Sequence, residues 1–172
     1  MSKKILMILA SENFRDIEYI VPRAFFEKAG FEIKTASSTK TSTGRFGYSV
    51  QNDFLIEDAK AENFDGIYLV GGGGSMEYLE NENAKNLFTT FLKSNKPIGA
   101  ICMAPRNFLH WGFLKGKNAT GWNNDEGFSK MAKEVGAVDH AEKPVVTDGL
   151  ILTADGPEAS EESAIEFMKL LK

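Results

Sequence analysis

The chain has 172 residues, of which 42% are hydrophobic and 26% are charged, and its formal net charge is -4. These values are typical of a soluble globular protein, and we expect a single domain over residues 1–172. The sequence has no dense basic run, which argues against a nucleic-acid partner. Its only cysteine excludes an intramolecular disulfide.

The apolar run at residues 5–10 is too short to span a membrane, and no signal-peptide cleavage pattern follows it. We therefore expect a cytoplasmic protein without a membrane partner.

Four segments predict the strands of one sheet, at residues 4–10, 31–36, 66–70 and 97–101. The first is a continuous apolar run, which indicates a strand buried on both faces of the sheet. Helical patterns separate or follow these strands, at residues 16–29, 84–94, 104–111, 128–135 and 158–171. Strands that alternate with helices favour an α/β fold, with a mostly parallel sheet and helices on both of its faces.

The remaining segments give weaker patterns. Residues 11–15 and 37–44 are polar and predict loops, whereas the alternation over residues 48–56 favours an edge hairpin or a short strand pair. A fifth strand is possible at residues 116–120. The Asp148-Gly149 pair lies between two apolar runs and predicts a β-hairpin. We also expect Asp16 to cap the first helix.

The only cysteine, Cys102, lies between the fourth predicted strand and the helix that follows it. Small residues surround it at Gly99, Ala100 and Ala104, as a sharp and strained nucleophile elbow requires. The start of a helix lowers the pKa of a nearby thiol, so we expect Cys102 to react as a thiolate. The alternative is that Cys102 is simply a small buried hydrophobic residue.

Four consecutive glycines, residues 71–74, follow the third predicted strand. Their N–H groups could bind a developing oxyanion, and we expect Gly72 or Gly73 to do so together with the N–H of Met103. A phosphate-binding loop is the competing interpretation, but no Gly-Lys-Ser/Thr follows. The third interpretation is a tight turn whose backbone needs positive φ angles.

Glu18 falls in the first turn of the first predicted helix, beyond the end of the first strand. Ligands of such sheets bind beyond the carboxyl ends of the strands, so Glu18, the glycines and Cys102 should meet at one edge. A buried Glu18 would have a raised pKa and could donate a hydrogen bond to the thiolate. The alternative is a solvated helix glutamate.

Neither histidine is a good candidate for a general base. His110 lies on the same predicted helix as the elbow, roughly 12 Å along its axis at about 1.5 Å per residue. His140 lies near a predicted strand and cannot be placed. The sequence also has no cluster of histidine, cysteine or acidic residues with metal-ligand spacing, so we predict neither a metal site nor a cofactor.

An ordered set of motifs resembles the ThiJ/PfpI superfamily over essentially the whole chain. The motifs are FRDIEYIVP at residues 14–22, LVGG at 69–72, AICMAP at 100–105 and DGLILT at 148–153. The resemblance implies a three-layer, flavodoxin-like sandwich of the class I glutamine-amidotransferase type and a homodimer. It also implies that Cys102 is the reactive elbow residue and that Glu18 is its hydrogen-bond partner.

This sequence departs from the protease-like branch of that superfamily, in which a histidine follows the cysteine. Met103 occupies that position here. In other branches a histidine comes later in the chain, and the matching region of this sequence, residues 120–122, contains none. The parkinsonism-associated branch also lacks a histidine beside its cysteine, and it is associated with glyoxalase or deglycase chemistry, oxidation sensing and chaperone-like protection. We therefore expect a cysteine-dependent enzyme that acts on reactive aldehydes or on glycated substrates.

Two alternatives remain open, namely an oxidation-sensing stress or chaperone-like protein without turnover and a PfpI-type peptidase or amidohydrolase. Arg45 could supply charge to a pocket at a subunit interface or could be a solvated loop residue. Trp122 and Asn123 could line the rim of the site or could serve packing alone.

Overall fold

A computed structural model describes residues 2–171 of the chain. Its strands are β1 Lys4–Ile8, β2 Glu12–Phe14, β3 Glu32–Ser37, β4 Thr41–Gly44, β5 Ser49–Gln51, β6 Phe54–Leu55, β7 Gly66–Leu69, β8 Ile98–Ile101, β9 Asn118–Ala119, β10 Val138–Asp139, β11 Val145–Asp148 and β12 Ile151–Ala154. Its α-helices are α1 Asp16–Lys28, α2 Gly73–Tyr78, α3 Glu82–Lys93, α4 Pro105–His110, α5 Gly127–Val135 and α6 Ser160–Leu170.

The centre of the fold is a seven-stranded sheet in the order β11-β12-β8-β7-β1-β3-β6. All neighbouring strands pair in parallel except β11, which forms an antiparallel hairpin with β12. Helices α1 and α6 pack together against the sheet, and α3 and α4 contact β8. The α/β fold with a mostly parallel sheet and flanking helices, predicted from the sequence, is confirmed.

Aromatic side chains fill the space between the sheet and its helices. Phe26 of α1, Tyr68 of β7 and Phe167 of α6 are in mutual contact, with ring centroids 5.4 to 5.9 Å apart. Gly99 of β8 makes room for this cluster, because a Cβ atom at that position would lie 2.7 Å from the Tyr68 ring and 3.0 Å from that of Phe167. The glycine near the elbow therefore serves packing as well as the turn.

Three adjacent strands end at the same level and direct the following residues to one edge of the sheet. Ile8 of β1 is paired with Leu69 of β7, which in turn is paired with Ala100 of β8. The segments beyond these strand ends lead to Glu18, to the glycines and to Cys102, respectively. The register of the parallel strands thus brings the three predicted elements of the site together.

The structure corrects several local predictions. Residues 37–44 are not a loop throughout, because Thr41–Gly44 forms β4 and pairs antiparallel with Ser49–Gln51. Ser42 and Gly44 are buried, so small polar residues form the inward face of this strand, although their composition indicates a loop. The hairpin therefore covers residues 41–51 rather than 48–56, and β6 joins the main sheet beside β3.

Further predictions were wrong at other loops. Residues 11–15 contain the short strand β2, which pairs with β4. Within residues 116–120 only β9 forms, and it pairs with β10 outside the central sheet. Helix α2, which begins within the glycine run, was not predicted. Among the helices between residues 2 and 171, none combines the length and the apolar character needed to cross a bilayer.

Asp16 does not cap α1, because its carboxylate accepts hydrogen bonds from the backbone N–H groups of Phe46 and Tyr48, each at 2.9 Å. This contact fixes the β4–β5 hairpin against the start of α1. Gly44 is needed for it, since a Cβ atom there would lie 2.5 Å from an Asp16 oxygen. The hairpin tip is thereby held beside the predicted site.

Candidate active site

Cys102 lies at a strained turn directly after β8. Its φ of 63° places it in the left-handed region, which residues other than glycine rarely adopt. Its N–H donates to the carbonyl of Ala154 and its carbonyl accepts from the N–H of Trp122, both at 2.8 Å. Both backbone groups are thus bonded to neighbouring segments, which stabilises the conformation. The thiol is largely buried, with 8% of the residue exposed.

Glu18 is completely buried and its carboxyl group faces the Cys102 thiol. Within residues 2–171, no N–H or O–H group bonds to either carboxyl oxygen. Buried carboxyl groups are normally paired, because each unmet hydrogen bond costs about 1–3 kcal/mol. An isolated buried carboxyl group beside a thiol is therefore characteristic of a functional site rather than of a solvated helix glutamate.

Gly71 allows Glu18 and Cys102 to approach each other. A Cβ atom at this position would lie 2.4 Å from Oε2 of Glu18, 2.8 Å from Cβ of Cys102 and 2.3 Å from the carbonyl oxygen of Ile101. All three distances are shorter than van der Waals contact. Because Gly71 has no side chain, the carboxyl group of Glu18 and the side chain of Cys102 can occupy the space beside it.

Burial raises the pKa of the Glu18 carboxyl group to about 8, although the Cys102 hydrogen bond and the positive charge of Arg15 act in the opposite direction. Glu18 is therefore mostly protonated at neutral pH, as the sequence predicted. A protonated carboxyl group can donate its O–H to a thiolate, and it places no negative charge beside that thiolate.

We expected the helix start to lower the pKa of Cys102, but in the structure this pKa is raised. Burial is the largest cause, and negative charge on Glu18 and its hydrogen bond to the sulfur add to it. Helix α4 offers little compensation, because it begins only at Pro105, which has no N–H to direct toward the thiol. Protonation of Glu18 removes the carboxylate charge, so Cys102 forms a thiolate most easily when Glu18 is a neutral acid.

Two backbone N–H groups, those of Gly72 and Met103, bond to the Cys102 sulfur and act against the rise of its pKa. Gly72 has a φ of 103°, and a Cβ atom there would lie 2.5 Å from the backbone nitrogen of Arg15. Only glycine fits this position. Gly73 begins α2 and also lines the cavity, but its N–H is not among the groups that bond to the sulfur. The oxyanion role of these glycines stays a prediction.

The thiol opens into a cavity of about 370 Å³. Its lining residues are Arg15, Glu18, Arg45, Gly72, Gly73, Cys102, Met103, Trp122 and Pro157. All but one of the predicted site residues are therefore brought together. The exception is Asn123, whose side-chain amide donates to Oγ of Ser129 at 2.8 Å and accepts from its N–H at 2.9 Å. Asn123 fixes the start of α5 and does not line this cavity.

Arg15 and Pro157 were not predicted from the sequence. Arg15 lies one helical turn before Glu18, and residues at this spacing point to the same side of a helix. That spacing could have indicated Arg15. Pro157 lies in a short 3-10 turn between β12 and α6, and nothing in its local sequence indicated a place in the cavity.

Both histidines lie away from the cavity. His110 is exposed, and its Nδ1 is 3.4 Å from Oε2 of Glu80. His140 bonds through Nε2 to Asn118 at 2.8 Å and through Nδ1 to Glu142 at 3.3 Å. Glu18 is therefore the titratable group in contact with the thiol, and no imidazole of the described residues lines the site.

The Trp122 wall of the cavity is fixed by the buried Arg106. Its guanidinium donates to the Trp122 carbonyl at 2.9 Å, lies 5.3 Å from the centroid of the Trp122 ring and pairs with Asp125. Because the N–H of Trp122 also donates to Cys102, the wall and the elbow form one hydrogen-bonded unit.

The structure defines an α/β protein with a mostly parallel sheet, a strained cysteine directly after β8 and a buried glutamate that faces it. A family model described as the DJ-1/PfpI family matches residues 3–170, and the chain belongs to that family. The resemblance to the ThiJ/PfpI superfamily is thus confirmed.

Individual relatives share the full length of the chain. A protein of Pyrococcus furiosus named deglycase PfpI is 32% identical over 170 residues, which are 98% of this chain and 99% of that protein. A Bacillus subtilis protein named putative cysteine protease YraA is 33% identical over 175 residues and is covered completely, as is this chain. The crystal structure of a ThiJ/PfpI domain protein from Brachyspira murdochii superimposes with a TM-score of 0.91 at 27% identity, covering 99% of this chain and 96% of that one.

The Gly71→Ala substitution tests whether the close approach depends on this glycine. We expect it to lower the free energy of unfolding by about 1–3 kcal/mol, because a methyl group would force Glu18 and Cys102 apart. Urea unfolding followed by tryptophan fluorescence measures the change. Gly73→Ala is the matched control, since its Cβ would meet only Asn13 at 3.6 Å. Equal stability of the two variants would show that the space at Gly71 is not required.

The Glu18→Gln substitution tests the buried neutral carboxyl group through its effect on stability. The folded protein keeps the Glu18 proton up to a pKa of about 8, whereas the unfolded chain loses it near about pH 4.3. Stability should therefore fall between about pH 5 and pH 8, with a slope from this group of up to about 1.4 kcal/mol per pH unit. The variant lacks this contribution and should show a shallower decline in urea unfolding under reducing conditions. Parallel curves for the two proteins would contradict the assignment.

Proposed function

We propose that this protein is a cysteine-dependent enzyme of the glyoxalase or deglycase type, acting on small reactive aldehydes or their adducts. The observation that carries the proposal is the fully buried Glu18 carboxyl group, which within residues 2–171 has no partner but the Cys102 thiol it faces. The reactive form of this pair has released one of its two protons to solvent and holds the other on Glu18, so that the Cys102 thiolate lies beside a proton donor, as aldehyde addition and proton shuttling require. The relative named deglycase PfpI supports the same reaction class.

The first step is the addition of the Cys102 thiolate to the aldehyde carbon of a 2-oxoaldehyde. The C–S bond forms, and the electron pair of the C=O bond moves to oxygen, to which the N–H groups of Gly72 and Met103 beside the sulfur can donate. Glu18 then gives its proton to this oxygen and becomes a carboxylate. The product of the step is a neutral hemithioacetal bound to the enzyme.

The second step moves a proton between neighbouring carbons. The Glu18 carboxylate removes the proton from the carbon attached to sulfur and returns it to the adjacent carbon, while the hydroxyl proton moves to the adjacent oxygen. The result is a thioester of a 2-hydroxy acid. Water breaks the C–S bond and restores the thiol, so the net reaction adds one water to a 2-oxoaldehyde.

The geometry favours this reaction over peptide hydrolysis. A leaving amine must be protonated, and the cysteine peptidases that do so use an imidazole beside the thiol. Here Met103 follows Cys102, and both histidines lie outside the cavity.

We also propose that the protein forms a homodimer through an apolar surface beside the cavity. Four of the six large exposed hydrophobic side chains within residues 2–171 belong to α1 and the β4–β5 hairpin, namely Ile17, Ile20, Phe46 and Tyr48. The Asp16 contacts hold these two elements together. Contiguous apolar surface of this kind is characteristic of protein interfaces. A reducing, cytoplasmic location agrees with the single free thiol.

Turnover of methylglyoxal to lactate tests the catalytic proposal. We expect Cys102→Ser to abolish it and Glu18→Gln to lower kcat/KM by about 10²-fold or more, because one loses the nucleophile and the other the proton shuttle. His140→Asn, which removes an imidazole outside the cavity, should retain activity. Equal turnover by the unmodified protein and Cys102→Ser would refute the proposal.

Light scattering tests the dimer. The unmodified protein should have twice the chain mass of 19.0 kDa, and Ile20→Asp should shift it toward the monomer by placing a charge in the apolar surface. Val138→Asp is the control, because Val138 is also exposed and apolar but lies on β10. A dimer that tolerates Ile20→Asp, or a monomeric unmodified protein, would exclude this interface.

A further inference from the structure

Two arginines of the cavity have no acidic partner within residues 2–171. Arg15 precedes α1 and is half-buried, and Arg45 follows β4 and is exposed. The other two arginines of the chain are paired, Arg23 with Glu27 and Arg106 with Asp125. The unpaired guanidinium groups are thus confined to the cavity that contains Cys102.

Both guanidinium groups make a cation–π contact with the same ring. They lie over Phe46, at 4.7 Å from its centroid for Arg15 and 5.9 Å for Arg45. A contact with an aromatic ring leaves N–H donors of a guanidinium available to a ligand. Two sets of donors on one ring can converge on a single anionic group, and planar guanidinium groups match carboxylates and phosphates in geometry.

The charges around the cavity are separated into two sides. Glu18 has its pKa raised to about 8 and adds little negative charge at neutral pH. Asp155 and Glu158 line an adjacent cavity of about 380 Å³, which shares Trp122 and Pro157 with the first. The charges of Asp155 and Glu158 help to raise the pKa of Glu18, but neither residue lines the Cys102 cavity, whose positive side is formed by Arg15 and Arg45.

We propose that the substrate of this site is a small carbonyl compound carrying a carboxylate or a phosphate ester, and that Arg15 and Arg45 bind the anionic group while the carbonyl group meets Cys102. The carbonyl half of this proposal rests on the proposed function. The anion-binding half rests on the arginines, and it can be tested without turnover.

Alkylation of Cys102 by two matched reagents provides the test. Iodoacetate and iodoacetamide both form a C–S bond and release iodide, but only iodoacetate carries a carboxylate. In the folded protein, the ratio of the iodoacetate rate to the iodoacetamide rate should exceed the ratio for free N-acetylcysteine by about fivefold or more. Arg15→Gln and Arg45→Gln should each lower this ratio about threefold, and added salt should lower it further. Because the chain has one cysteine, intact mass reports the reaction directly.

Controls separate this proposal from general charge effects and from the proposed function. Lys40→Gln removes an exposed positive charge that does not line the cavity, and it should leave the ratio unchanged. An arginine variant with an unchanged ratio and an unchanged iodoacetamide rate would overturn the proposal. A high, arginine-dependent ratio in a protein that does not convert methylglyoxal would support the anion site and exclude methylglyoxal as the substrate.

Protection experiments identify the anion. Acetate and inorganic phosphate, compared at equal ionic strength, should slow the alkylation of Cys102 by iodoacetamide if they occupy the arginine side of the cavity. The stronger protector indicates whether the substrate carries a carboxylate or a phosphate. Protection by neither anion would contradict the proposal.

Discussion

The contact between the Glu18 carboxyl group and the Cys102 thiol is the interaction on which the site depends, and it exists only because Gly71 has no side chain. Burial keeps Glu18 protonated near neutral pH, which makes it a proton donor to sulfur instead of a repelling charge. The strained turn, the Gly72 N–H group and the cavity walls all serve to place groups around this pair. A glutamate in solvent at the same distance would have an ordinary pKa and would oppose the thiolate.

The rest of the fold holds Glu18 and Cys102 in this geometry. Three parallel strands in fixed register deliver their ends to one edge, so small errors in one loop cannot separate the carboxyl and thiol groups. Around that edge, Asp16 holds the β4–β5 hairpin and Arg106 holds Trp122. Two buried charged side chains thus fix segments that surround the cavity. Rigid support of this kind is what a reacting pair at short distance requires.

Much of this arrangement could be predicted from sequence, because buried parallel strands are continuous apolar runs and the elbow follows one of them. Cys102 and Glu18 were found in this way, and the topology of such sheets placed them together. The β4 strand could not be predicted, since its inward residues, Ser42 and Gly44, are small and polar. The role of Asp16 also depends on a long-range contact with the hairpin. The direction of the Cys102 pKa shift depends on burial, which local sequence does not show.

Because Cys102 is largely buried and opens into a cavity of about 370 Å³, its modification by a reagent too large for that cavity depends on how often the elbow opens. Residues distant in sequence, among them Glu18, Ala154 and Trp122, must all be in place to close it. The rate at which such a reagent modifies Cys102 therefore measures local unfolding at the carboxyl edge of the sheet. This rate, compared with that of the unfolded chain, would give the free energy of opening in this one region, independently of global denaturation.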